Sequence, residues 1–97
     1  MKVTVHSVHF DADKDLVTFV QDKVSKLEQF YDGIIGSEVF LRLDNSSTNE
    51  NKVAEVKMLA PGKELFAKKQ CKSFEEAADL AVEAIRRQIK KHKEKMA

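Results

Sequence analysis

Residues 73–95 read SFEEAADLAVEAIRRQIKKHKEK, a stretch with two characters. Phe74, Ala77, Ala78, Ala81, Val82, Ile85 and Ile89 recur at helical spacing, so the first half predicts a helix with one apolar side. Ser73 stands at the N-cap position, and Glu76 follows at the spacing of a capping box. The second half is basic: Arg86, Arg87, Lys90, Lys91, His92, Lys93 and Lys95, opposed only by Glu94. A helix of this kind needs a surface to cover its apolar side, and the rest of the chain must supply it.

The preceding sequence reads as that surface. Lys2 to Phe10 alternates and is rich in Val and Thr, which predicts a strand. Val3 and Val5 lie on one side of it and Val8 and Phe10 on the other, so a bulge or strand end is expected near Ser7. Asp11 or Asp13 then offers an N-cap, with Asp15 in the first turn. From Lys14 to Tyr31, Leu16, Val20, Val24, Leu27 and Tyr31 form a helical stripe, widened by Phe19 and Phe30. Asp32-Gly33 is the expected stop, with Gly33 as the left-handed cap.

Three further strands follow. Ile34 to Leu43 is the second, with Val39, Leu41 and Leu43 on one side and Glu38, Phe40 and Arg42 on the other. Asp44 to Asn51 is a polar turn. Val53 to Leu59 is the third, with Ala54, Val56 and Met58 as the inner set. Ala60-Pro61-Gly62-Lys63 is a turn signal, and Glu64 to Lys72 is the fourth strand, with Leu65, Ala67 and Cys71 inward. Lys69 breaks that inner pattern. A helical crossover implies a parallel first pair, and short loops imply an antiparallel meander after it. Two apolar stripes need one sheet face between them. The expectation is an α+β two-layer sandwich of order βαβββα, with a four-stranded mixed sheet, both helices on one face and the other face open.

Composition narrows the function class. The 97 residues suit one domain, with 42% hydrophobic and 34% charged residues as in a soluble globular protein. The single cysteine cannot form an internal disulfide, which points to a reducing compartment. The alternating N-terminus has no apolar run of the kind a signal peptide or membrane span requires. The expected location is the cytoplasm. The net charge of +1 is unevenly placed: residues 86–97 carry +5, leaving −4 for the remainder. A mildly acidic body with one basic end is a directional device for meeting a polyanion.

Catalytic and metal chemistry find little support. His6 and His9 are three apart on a strand, point to opposite faces and make a poor ligand pair. Cys71 has no histidine near it in sequence and reads as a small buried hydrophobe. The carboxylates are scattered over helix faces and turns, and Gly33, Gly36 and Gly62 form no phosphate loop. No enzyme activity, cofactor, metal site or small-molecule substrate is expected. Two surfaces are left. One is the basic helix end, extended by Lys23 and Lys26 if the helices lie side by side. The other is the open sheet face, with Phe40, Arg42, Lys57 and Phe66.

Two strings carry a resemblance. Lys26-Leu27-Glu28-Gln29-Phe30-Tyr31-Asp32 closes the first helix, and Arg87-Gln88-Ile89-Lys90-Lys91-His92-Lys93-Glu94-Lys95 closes the second. Together with the element order, they resemble the ribosome hibernation promoting factors, also called ribosome-associated inhibitors or sigma-54 modulation proteins. The resemblance spans Val3 to Lys95. It implies the βαβββα fold, binding to the small ribosomal subunit through 16S rRNA in the channel used by mRNA and tRNA, and inhibition of translation in resting or stressed cells. The length is similar to that of the family's short form, and a monomer is implied. Lys23 and Lys26 match basic positions of the family's first helix, and Arg87, Lys91, Lys93 and Lys95 those of its second; Arg86 and Lys90 add charge of their own. Val17 departs from a common arginine, and Glu75 from an aromatic.

The expected reading is therefore one ribosome-binding domain over residues 1–97, with a basic helix end at 86–95. The candidate rRNA-binding residues are Lys23, Lys26, Arg86, Arg87, Lys90, Lys91, Lys93 and Lys95. The alternatives are a general RNA-binding domain without ribosome specificity and a protein-interaction module using the open sheet face.

Overall fold

In a computed structural model the chain is described over residues 1–44 and 49–96, with only the backbone of Lys95 and Met96. The order is β1 (Lys2–Val8), α1 (Lys14–Ser25), a 3₁₀ turn (Lys26–Gln29), β2 (Gly36–Leu43), β3 (Lys52–Ala60), β4 (Lys63–Cys71) and α2 (Phe74–Met96). The sheet runs β1-β2-β3-β4. β1 pairs parallel with β2, and the other pairs are antiparallel. This is the βαβββα sandwich that the pattern of the sequence calls for.

The register explains which residues face inward. Val39 lies opposite Val56, which lies opposite Ala67; Ser37 and Leu65 both lie opposite Met58. These positions form the inner face, and all are buried. Both helices close over them with Val20, Val24, Leu27, Ala77, Ala78, Ala81, Ile85 and Ile89. The three alanines at the start of α2 have short side chains, so that end can lie close to the sheet. Ile85 and Ile89 fill the space further along. The one buried polar residue among the described residues, Ser37, donates its hydroxyl to the Lys57 carbonyl at 3.1 Å, so its burial leaves the hydroxyl satisfied.

Local chemistry sets the ends of the elements. β1 stops at Val8, and His9 takes a left-handed conformation with φ of 63°. This reversal resolves the conflicting sides of Val3/Val5 and Phe10: the strand ends two residues before the expected Phe10. Phe10 then stacks on Phe74, with ring centroids 4.9 Å apart and planes at 4°. Asp13, rather than Asp11, caps α1 by accepting from the Leu16 N–H at 2.7 Å. Ser73 caps α2 by accepting from the Glu76 N–H at 3.1 Å, a contact of about 1 kcal/mol. Pro61 and Gly62, with Gly62 at φ 73°, turn β3 into β4.

Several expectations shift. The first helix is not α-helical to Tyr31: it tightens to 3₁₀ at Lys26 and ends at Gln29. Gly33 is therefore not the helix cap, although its φ of 97° places it in a turn against Pro61. β2 begins at Gly36 rather than Ile34, and Leu43, at the strand end, is exposed. β4 spans Lys63–Cys71, and Lys69 sits opposite Ala54 on the inner side yet stays exposed on the edge strand. The polar turn expected over Asp44–Asn51 falls partly outside the described residues. Asp44 N–H donates to the Asn51 carbonyl at 2.8 Å, and Gln70 donates to Asp44 and to the Glu50 carbonyl.

Candidate nucleic-acid interface

The two helices run side by side in the same sense. Phe10, just ahead of α1, meets Phe74; Lys23 meets Asp79; and Phe30, just past the 3₁₀ turn, meets Lys93. Ile85 and Ile89 are buried against the body, so the start of the basic half of α2 is anchored. Tyr31 extends that cover, its ring centroid 5.7 Å from that of His92. Gln88 Nε2 donates to the Phe66 carbonyl at 2.8 Å and ties the helix to β4. A helix held in this way carries its charges at fixed positions.

A groove of about 710 Å³ opens along this half of α2. Arg86, Arg87, Lys90 and Lys93 line it together with Phe30, Ile89, Glu83 and Glu94. Arg86 donates through Nε and Nη2 to the two oxygens of Glu83, at 3.0 and 2.6 Å. This fork holds the Glu83 carboxyl below the ordinary carboxylate range and raises the guanidinium further. Arg87 Nε lies 3.7 Å from the same carboxylate. The Arg86 guanidinium also stands 5.6 Å from the centroid of the Phe30 ring. Lys93 Nζ donates to the Phe30 carbonyl at 2.8 Å.

The eight basic candidates thus part company. Arg86, Arg87, Lys90 and Lys93 share the groove. Lys91 is exposed but does not line it, and the side chain of Lys95 lies outside the described residues. Lys26 is exposed on the 3₁₀ turn. Lys23 is bound to Asp79 at 3.0 Å and lies near the Phe19 ring, about two helical turns before Arg86 along α2. Sequence reading missed Phe30, Glu83 and Glu94 as parts of this surface. The signal for Phe30 was its place at the end of the apolar stripe. The helical turn ends at Gln29, one residue short of Phe30, which is left 40% exposed.

The open sheet face is built differently. His6 and Phe40, on neighbouring strands, stack with centroids 4.8 Å apart. Around them run the pairs His6–Glu38, Arg42–Glu55 and Lys57–Glu64, at 3.1, 2.8 and 3.3 Å. Phe66 is exposed beside Lys57. Cys71 is buried at the inner end of β4, and that burial, with Glu76 and Glu50 nearby, pushes its thiol pKa up. Among the described residues no three His, Cys, Asp or Glu side chains are grouped to hold a metal ion. No helix among them is long and apolar enough to cross a membrane.

Known proteins resemble the chain over nearly all its length. The family model described as sigma 54 modulation protein / S30EA ribosomal protein matches residues 3–97. A ribosome hibernation promoting factor of Pseudomonas putida is 28% identical over 95 residues, covering 98% of this chain and 89% of that protein. One from Azotobacter vinelandii is also 28% identical, with 98% and 85% covered. In structure, a ribosomal subunit interface protein from Coxiella burnetii superimposes with a TM-score of 0.84 at 16% identity, covering 96% of this chain and 98% of that one. The N-terminal domain of Thermus thermophilus Protein Y gives 0.78 at 21% identity, with 94% of each chain covered.

Proposed function

The chain belongs to the sigma 54 modulation protein / S30EA ribosomal protein family, and from that premise we propose that it is a ribosome hibernation factor acting by occupancy rather than by catalysis. In this reading residues 1–97 form one ribosome-binding domain that works in the cytoplasm as a monomer. It docks on the small subunit through 16S rRNA phosphates and fills the channel that mRNA and tRNA need, so translation stops in resting or stressed cells. The names of the two relatives support the hibernation role.

The observation that carries the reading is the groove on the anchored end of α2, where Arg86, Arg87, Lys90 and Lys93 converge. Arginine forks suit phosphate oxygens, and a rigid array can match one arrangement of phosphates where a loose tail would match many. Lys26 and Lys91 add exposed charge outside the groove, and Lys23 and Lys95 complete the proposed set. Because the binding energy is largely electrostatic, affinity for small subunits falls steeply with salt, and each lost phosphate contact lowers the slope by about one unit.

The test is sedimentation of the chain with isolated small subunits over a salt series. The variant Arg86/Arg87/Lys90/Lys91→Ala is expected to lose binding at low salt; unchanged affinity sinks the proposal. Bulk tRNA as competitor separates a ribosome-specific factor, which resists it, from a general RNA-binding domain, which does not.

A further inference from the structure

The groove departs from a plain phosphate site in two ways. Phe30 keeps an aromatic ring exposed at its wall, with its backbone held by Lys93. Two carboxylates, Glu83 and Glu94, line the same space as the four cations. Carboxylates repel phosphate oxygens, so a surface shaped only for phosphate has no use for them. A nucleobase has a π-face that stacks on an aromatic ring or a guanidinium plane, and N–H donors at its edge that a carboxylate accepts. The volume, about 710 Å³, falls inside the range of about 300–1,000 Å³ typical of ligand clefts.

We propose that this groove receives an unpaired RNA base. The base lies on Phe30 with the Arg86 guanidinium closing over it, Glu94 accepts from its edge, and Arg87 and Lys90 hold the flanking phosphates. The proposal rests on the RNA-binding reading above and adds the class of RNA: a single-stranded, unstacked nucleotide rather than a duplex backbone. In the free protein Glu83 keeps the Arg86 guanidinium beside the ring through its fork, and that fork must open or turn with Arg86 when a base enters. The present separation of 5.6 Å is too short to hold a base between ring and guanidinium. Arg86 therefore swings outward on entry, a motion open to an exposed side chain.

The test is fluorescence anisotropy of the full chain with three probes: a labelled single-stranded adenylate decamer, an abasic ribose-phosphate decamer and a ten-base-pair RNA duplex. Phe30→Leu and Arg86→Lys both keep the net charge while removing a stacking plane. The wild type is expected to bind the adenylate decamer about tenfold more tightly than the abasic one. Each variant is expected to lose that preference with its salt slope unchanged. Equal affinity of the wild type for the two decamers overturns the proposal, as does a preference kept in Arg86→Lys or a duplex bound as tightly as the adenylate strand. If Phe30→Leu lowers the melting temperature, Arg86→Lys decides alone, because Arg86 lies outside the core. Small-subunit sedimentation runs alongside. A wild type that cosediments without base preference overturns the groove assignment and leaves the ribosome reading standing. Base preference without cosedimentation does the reverse.

Discussion

Two surfaces of this molecule are rich in charge, and they differ in what the charges do. On the outer sheet face Arg42 meets Glu55, Lys57 meets Glu64 and His6 meets Glu38, each across neighbouring strands. On the second half of α2, Arg86 and Arg87 share the single carboxylate of Glu83, and Lys90 enters the same groove. Strand pairing spaces opposite charges at contact distance and cancels them. One helix turn packed with like charges has too few partners and leaves a surplus. It is the surplus, not the number of charged residues, that creates a field able to draw in an anion.

The contrast can be broken most severely from underneath. Ile89→Ala removes a side chain that is 1% exposed and supports the groove. It is expected to cost about 3 kcal/mol in urea unfolding. A near-neutral result would mean that the body does not hold the helix end, and that the array is fixed only by its partner. Next in size is charge reversal on each surface. Lys90→Glu with Lys91→Glu is expected to weaken small-subunit binding by about 100-fold or more at low salt. Lys57→Glu with Lys68→Glu, the latter an exposed β4 residue opposite Glu55, changes the same net charge and is expected to stay within about twofold. Equal losses would show that only the overall charge matters.

Smaller effects sharpen the picture. Arg42→Ala leaves Glu55, whose side chain is 21% exposed, without its partner, and is expected to cost about 1 kcal/mol of stability. Lys90→Ala, which breaks no ion pair among the described residues, should change stability by less than about 0.5 kcal/mol. The smallest effect concerns pH. The Glu83 carboxyl is held down by its bonds to Arg86, so the folded chain releases this proton more readily than the unfolded one. Its contribution is complete above the ordinary carboxylate value and is lost as pH falls through the lower folded value. Glu83→Gln should therefore flatten the acid limb of the stability curve slightly below about pH 4.5. An unchanged limb would mean the fork does not persist in solution.

Much of this was legible in the chain itself. Alternation picked out Val39 and Leu41 of β2, though not the exposed Leu43, and the inner set of β3, and the stripe from Phe74 to Ile89 marked the covering helix. Ser73 and the choice of Asp11 or Asp13 marked the helix starts, because a side-chain oxygen ahead of an apolar period has a specific donor to satisfy; the structure settled on Asp13. The element order then left few ways to pair four strands. Basic residues at the end of α2 were equally plain, since a charge surplus is a count.

What the sequence determined by itself is the fold and the existence of a basic end, because periodicity and composition are properties of residues near one another in the chain. Tertiary structure alone decided how that end is organised. The first helix ended at Gln29 and left Phe30 exposed, and the side-by-side run of the helices brought it under Arg86, 56 positions later. The same packing set Lys23 against Asp79, whereas Arg86, Lys90 and Lys93 share one face by their i, i+4, i+7 spacing alone, and only Arg87 and Phe30 join them in the groove from outside that row. No pattern within one helix encodes such meetings. They depend on how two helices seat on a shared sheet, and that is fixed only when the whole core closes.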